Sequence, residues 1–226
     1  MLAPMVSELR PLLRAVPLHR RRFGNLDVHA GTVGQVEVVA ALTGIGICAA
    51  AEATERLLGS IPVDHLLVVG IAGGIAPHVA VGDLVVPELV IDAATGEKYR
   101  SSAFGGAAMH GTLSTSDEFV VDRERLAELA ARGIVAVDME TASIAAVCER
   151  RGCRWSAFRA ISDMAGDTPH DVLGLVRPDG TPNLPATARF LLTQPWRIPF
   201  LVRLARGANL ATATAAAAAV RACARA

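Results

Sequence analysis

The sequence predicts an α/β fold, helices packed around a central sheet, and three observations carry that reading. Apolar β runs alternate with helical patterns from about Val36 to Ile161, the order expected of a layered α/β sandwich. Two of the runs, His65 to Val69 and Trp155 to Ile161, are mostly apolar, as a strand covered on both faces requires. Glycine turns follow strands at Thr43-Gly44-Ile45-Gly46 and Gly70-Ile71-Ala72-Gly73-Gly74, and strand ends are where ligands bind in such sheets. No internal repeat or linker divides the 226 residues, so one domain over 1–226 is expected, with a core near 5–166 and a helical section over about 183–226.

Taken in order, Leu2 to Val16 has apolar residues at helical spacing, with Pro11 suited to a first turn. Arg20-Arg21-Arg22 before Gly24-Asn25 reads as a solvated loop. Val28 to Val33 and Val36 to Leu42 form a hairpin about Gly34-Gln35, and a helix follows over Ala49 to Leu58. Leu84 to Val86, Leu89 to Ile91 and Thr112-Leu113 are short strands. Ala93 to Ala108, rich in Gly, Ser and Ala, reads as a mobile loop. A helix is expected over Val121 to Arg132. Gly133 to Val137 then reads as a strand that opens a helical pattern at Asp138-Met139-Glu140-Thr141. Arg177-Pro178-Asp179-Gly180-Thr181-Pro182 is a turn cluster. Three helices are expected beyond it, over Ala186 to Leu192, Ile198 to Arg206 and Ala208 to Arg225.

The bulk numbers narrow the function. A hydrophobic fraction of 52% with 19% charged residues argues against general disorder. A formal net charge of +0 gives no reason to expect nucleic acid or an anionic membrane as a partner. Nearly every basic residue is Arg, which in so Ala-rich a chain reads as compositional bias. No C-x-x-C pair occurs among Cys48, Cys148, Cys153 and Cys223; Cys48 and Cys148 fall in helical patterns as buried thiols, and the set fits a reducing cytoplasm. The N-terminus lacks a secretory pattern, and the Ala-rich run from Ala211 to Val220 is too short to span a bilayer.

Several motifs carry little. Gly44-Ile45-Gly46 with Ala49 is a loose dinucleotide fingerprint, but Asp64 precedes a strand where the ribose-binding acid should end one. Gly70 to Gly74 lacks the Lys-Ser/Thr of a P-loop. The six histidines show no metal-ligand spacing, and no metal or cofactor is expected. Ser162 lacks a nucleophile elbow. Glu140 and Asp163 are the informative acids. Taken alone, Glu140 suits a helix N-terminus and Asp163 suits a turn. Two acids at strand ends, beside two glycine turns, point to one shared polar pocket.

At these residues the chain resembles the nucleoside phosphorylase/nucleosidase superfamily, most closely its methylthioadenosine/S-adenosylhomocysteine nucleosidase branch. The matching pieces are Thr43-Gly44-Ile45-Gly46, Gly70-Ile71-Ala72-Gly73-Gly74, Val81-Gly82-Asp83-Leu84-Val85-Val86, Val137-Asp138-Met139-Glu140-Thr141-Ala142 and Arg159-Ala160-Ile161-Ser162-Asp163. The resemblance implies a three-layer αβα sandwich with a central mixed, twisted sheet. Only Met1 to Pro4 precede Met5, so the first strand of that sheet is expected to be missing or to lie upstream.

The resemblance also implies roles. Asp163, supported by Ser162, would help protonate N7 of a leaving purine. Glu140 would hold the ribose hydroxyls and Met139 would line the sugar. Phe119 would stack on the base, Val120 would contact it through backbone, and Ile71, Ala72 and Gly73 would border the substrate. Glu8, in Met5-Val6-Ser7-Glu8, would activate the attacking water. The implied enzyme is a cytoplasmic, homo-oligomeric purine nucleoside hydrolase. Departures leave alternatives. The 90–112 region lacks a helix usual in the nucleosidases. Val68 and Ile71 stand where phosphorylases carry Arg and Ser. The segment from Val176 through Arg206 looks more like hopanoid-associated phosphorylases that act on adenosylhopane. A catalytically weakened purine-binding protein is the third reading.

Overall fold

The computed structural model describes residues 1–118, 122–166 and 183–226. Their sheet is mixed and has eleven strands. They are β1 (Leu2–Ala3), β2 (His19–Phe23), β3 (Leu26–Val33), β4 (Val36–Leu42), β5 (His65–Gly74), β6 (Leu84–Val85), β7 (Leu89–Asp92), β8 (Lys98–Arg100), β9 (Thr112–Thr115), β10 (Ile134–Asp138) and β11 (Arg154–Met164). The spatial order is β2-β3-β4-β1-β5-β10-β9-β7-β8, and β11 pairs with β5 and β6 off this path. Strand β5 is the hub: it is parallel to β1 and β11 and antiparallel to β10.

The helices are α1 (Val6–Ala15), α2 (Ile47–Ser60), α3 (Arg123–Ala131), α4 (Thr141–Arg151), α5 (Leu184–Thr193) and α6 (Ile198–Cys223), with a 3-10 turn over Pro195–Arg197. Successive residues of a strand face opposite sides, and the core divides accordingly. Leu66 and Val68 of β5, with Trp155, Ala157 and Ile161 of β11, join Ala50, Leu57, Ile144 and Ala145 of α2 and α4 in one core. Leu67 and Val69, with Phe158 and Ala160, join Leu9 and Leu12 of α1 and Ala211, Ala215 and Ala219 of α6 in the other. This is the expected αβα sandwich.

Several expectations need correction. The residues before Met5 do form a strand. Leu2 and Ala3 pair in parallel with Ala41 and Leu42 of β4, and Leu2 also with Val68 of β5. Arg20 to Arg22 lie in β2, antiparallel to β3 and exposed along its length, because cationic side chains suit an edge strand better than a buried one. Within Ala93 to Ala108, Lys98–Arg100 pairs antiparallel with β7, with Tyr99 buried between two exposed neighbours. The helices expected over 198–206 and 208–225 are one helix, since Gly207 fits within it. Cys48 is exposed on the first turn of α2, while Cys148 is buried as expected. The 93–111 connection holds no helix, as the sequence indicated.

Candidate active site

The site gathers at the ends of β5, β10 and β11, where α1 begins. Glu8 lies in the first turn of α1, where a carboxylate ordinarily caps the helix. Its Oε2 does so, accepting from the Met5 N–H at 2.8 Å. Its Oε1 leaves the helix and accepts from the Ile71 N–H of β5, also at 2.8 Å. The residue is 1% exposed. Burial pushes its carboxyl up to about 7, although Arg159 opposes the shift.

Space for this arrangement comes from Gly70. A Cβ there would sit 2.3 Å from Glu8 Oε1 and 2.5 Å from Arg159 Nη1. Arg159 pairs directly across from Gly70 in the β5–β11 ladder, so the bare backbone of one strand admits the guanidinium of the other. Arg159 is itself fully buried. Its Nη2 lies 2.5 Å from Asp138 Oδ2 and 3.2 Å from Glu140 Oε2, and its Nη1 lies 3.8 Å from Glu8 Oε1. Its Nε donates to Thr141 Oγ1 at 3.1 Å and its Nη1 to the Ile71 carbonyl at 3.4 Å. Burial works against its charge, but the three surrounding carboxylates outweigh burial and raise its pKa.

Asp138, the last residue of β10, accepts from Thr115 Oγ1 at 2.6 Å and from the N–H and hydroxyl of Thr141. It fixes the turn from β10 into α4. Glu140 is the N-cap residue of α4, yet its side chain makes no cap bond to that helix. Oε1 instead accepts from the Gly46 N–H at 3.1 Å, in the turn before α2. Gly46 has φ +94°, a conformation that favours glycine. Burial raises the Glu140 carboxyl to about 6, again against Arg159. The capping interpretation of Glu140 therefore gives way to a bridge between two strand-end turns. Met139 beside it is half-buried.

On β11 the register with β5 shifts between Ile161 and Asp163. Such an irregularity re-aims side chains. Ser162 Oγ donates to Asp163 Oδ1 at 2.5 Å and to the Ala72 carbonyl at 3.4 Å. Ser162 is buried and Asp163 is partly exposed. Ile71, Ala72 and Gly73 run beside them on β5: Ile71 across from Ala160, Ala72 across from Ile161 and Gly73 across from Asp163. Glu8, Glu140, Ser162, Asp163 and the Ile71–Gly73 strand end thus occupy one region. Phe119 and Val120 lie outside the described residues.

Arg159 and Asp138 lie within the sequence motifs, which assign them no role. The available signal was an arginine inside an otherwise apolar strand run, which can be buried only among partners of opposite charge. Gly70 to Gly74, expected as a turn after the strand, instead continue β5 and pair with β11, and Gly70 accommodates Glu8 and Arg159.

Chemically, the arrangement offers a buried carboxylate of raised pKa beside a fixed guanidinium, and a partly exposed carboxyl oriented by a hydroxyl. Residues 1–109 and 100–184 match the model of the phosphorylase superfamily. A 5′-methylthioadenosine/S-adenosylhomocysteine nucleosidase of Geobacillus kaustophilus is 32% identical over 169 residues, spanning 61% of this chain and 71% of the relative. One of Bacillus subtilis is 32% identical over 178 residues, 66% of this chain and 77% of the relative. Among solved structures, the Neisseria meningitidis nucleosidase of the same name, in complex with methylthio-immucillin-A, has a TM-score of 0.73 at 22% identity. The match covers 97% of this chain and 95% of that one. Helicobacter pylori futalosine hydrolase has a TM-score of 0.72 at 19% identity, over 97% and 94%.

Proposed function

Because the chain belongs to the phosphorylase superfamily, we propose that it hydrolyses the N-glycosidic bond of a purine nucleoside carrying a modified 5′ position, of the methylthioadenosine/S-adenosylhomocysteine type. The observation that carries water over phosphate is the charge of the buried cluster. Three carboxylates, Glu8, Asp138 and Glu140, surround the single guanidinium of Arg159. The Met5 and Ile71 N–H groups are occupied by Glu8. A phosphate dianion needs free donors and positive charge; a water needs a carboxylate that can take its proton.

Glu8 is the general base, its raised pKa suited to proton transfer near neutrality. Asp163, held by Ser162, assists protonation of the departing purine at N7. Glu140, anchored by Gly46 and Arg159, binds the ribose hydroxyls, and Met139 lines the sugar. Ile71, Ala72 and Gly73 border the substrate along β5, and Phe119 and Val120 contribute to the base site. The positive charge that develops on the sugar is favoured by the excess of carboxylates. The same proposal places the enzyme in the cytoplasm as a homo-oligomer. Support for the compartment comes from Cys48, Cys148, Cys153 and Cys223, all free thiols.

The test is purine release from methylthioadenosine, S-adenosylhomocysteine and adenosine, with and without phosphate, with identification of the sugar product. Release without phosphate and a free sugar are expected. Strict phosphate dependence with a sugar-1-phosphate product would replace this reading with a phosphorylase. One observation favours testing a larger apolar 5′ group beside these substrates: the 93–111 connection carries no helix, in the region expected to shape the 5′ pocket.

A further inference from the structure

The fold leaves one feature that the reaction does not use. From Asn183 to Ala226 the chain contains no Asp or Glu, but it contains six arginines, Arg189, Arg197, Arg203, Arg206, Arg221 and Arg225. In the first part of this segment, α5, the 3-10 turn and the opening turns of α6, Phe190 is buried while most of the other described side chains are exposed. The first buried residue of α6 is Gly207. Leu184, Leu192, Trp196, Ile198, Val202 and Leu210 are six of the nine large apolar side chains exposed among the described residues, so they form a concentration rather than a scatter. Leu192 is 84% exposed and Trp196 71%.

The arrangement on α6 is ordered. Ile198, Val202 and Ala205 recur at spacings of four and three, along one exposed stripe. Arg203 and Arg206 flank that stripe on the side of Pro199 and Leu210. The Arg197 guanidinium lies 5.3 Å from the Phe190 ring centre and 5.9 Å from that of Phe200, and Arg203 lies 5.5 Å from Phe200. Arginines laid over aromatic rings keep their charge at the level of the apolar side chains.

We propose that the arm from Leu184 to Leu210 docks on the surface of an anionic phospholipid bilayer, with its apolar stripe among the lipid headgroups and its arginines against their phosphates. The arm would lie on the membrane, not cross it: no helix among the described residues is long and apolar enough to span a bilayer. Charge decides between this occupant and a second copy of the chain. A two-fold contact through the exposed face of α6 would set Arg203 and Arg206 against their own copies, with no acid in that helix to offset them. An anionic surface is complementary, and the exposed Trp196 of the 3-10 turn is the side chain suited to the interfacial layer.

The test is flotation of the full chain with vesicles of phosphatidylcholine alone, or of three parts phosphatidylcholine to one of phosphatidylglycerol. Binding to the anionic vesicles, weakening as salt is raised, is expected, with little binding to the neutral ones. Trp196 emission should shift to the blue on binding, while buried Trp155 contributes no change. Replacing Trp196, Ile198 and Val202 together by Glu should weaken binding on the order of tenfold or more. Arg203→Gln and Arg206→Gln should each weaken it roughly five-fold, with the far-ultraviolet circular dichroism of the parent. The proposal is overturned by absence of binding to the anionic vesicles at low salt, or by equal binding of the parent and the triple variant. It is also overturned by concentration-dependent self-association that the triple variant abolishes without any vesicle binding. Purine release does not enter these readouts, so the docking and the reaction stand or fall separately.

Discussion

Glu8 shows how much one residue's surroundings matter. The sequence places it in a first helical turn, and the resemblance makes it a base, but nothing local indicates that its second oxygen crosses to Ile71. If Glu8 is the base, Glu8→Gln should lower kcat by ~10²–10⁴-fold while the protein stays folded. The acid limb of the kcat/KM profile, falling as pH drops through about 7, should vanish with it. The same substitution has a stability signature. The folded-state pKa of Glu8 lies above its unfolded value, so its contribution is fully present below about 4.5 and is lost as pH rises through about 7. Denaturation curves across that window should therefore show Glu8→Gln gaining on the parent as pH rises; a constant difference would contradict the raised pKa. Asp163→Asn should likewise cost turnover by about 10²–10⁴-fold with little effect on the melting temperature. Gly70→Ala is the opposite kind of change, chemically slight and structurally severe. Its methyl group would overlap Glu8 and Arg159, and a loss of about 1–3 kcal/mol is expected in chemical denaturation, together with loss of turnover.

At the scale of elements, β11 does the most. Its even alternation supplies Trp155 and Ala157 to one core and Phe158 and Ala160 to the other, and a period-2 reading of the sequence anticipates that much. The same reading cannot say that Arg159 is balanced by Asp138 and Glu140 from β10 and its turn, because those partners are brought beside it only by the order of strands around β5. Arg159→Met would leave buried carboxylates without their cation. A cost of about 3–5 kcal/mol, read from urea unfolding at neutral pH, is expected, and it should shrink at acid pH as Glu8 and Glu140, both raised by burial, protonate. The edge strand β2 and the strand β8 were hard to see for a related reason. Their side chains are mostly charged or exposed, and only backbone pairing with β3 and β7 identifies them. Glycine misled in the other direction at Gly207. It suggested a break between helices, but its role is close approach, since a Cβ there would sit 2.3 Å from the Ser162 carbonyl oxygen. Gly207→Val should push α6 away from the end of β11 and raise KM for the nucleoside more than it lowers the melting temperature.

At the scale of the molecule, the layered fold was legible because alternating strands and helices leave few other ways to bury both faces of β5 and β11. The grouping of Glu140, Ser162 and Asp163 was legible because strand ends converge. The charged cluster beneath them was not, being a product of topology. The exposed arm was hidden by composition: its arginines looked like the bias of an Arg- and Ala-rich chain until the structure set them beside Leu192, Trp196 and Val202.

Helix α6 runs 26 residues without interruption, about 39 Å at the usual rise, yet it lives under two regimes. Beyond Gly207, Ala211, Ala215, Ala216, Ala218, Ala219 and Ala222 are buried; before Gly207 none of its residues is buried. Fraying that starts at the exposed end has little to oppose it until it reaches the turn resting on Ser162. Amide hydrogen exchange should mark that boundary, with fast exchange before Gly207 and slow exchange after it. Local opening of the molecule would then end at the floor of the candidate active site, and whatever steadies the far end of the rod would also quiet the motion felt there.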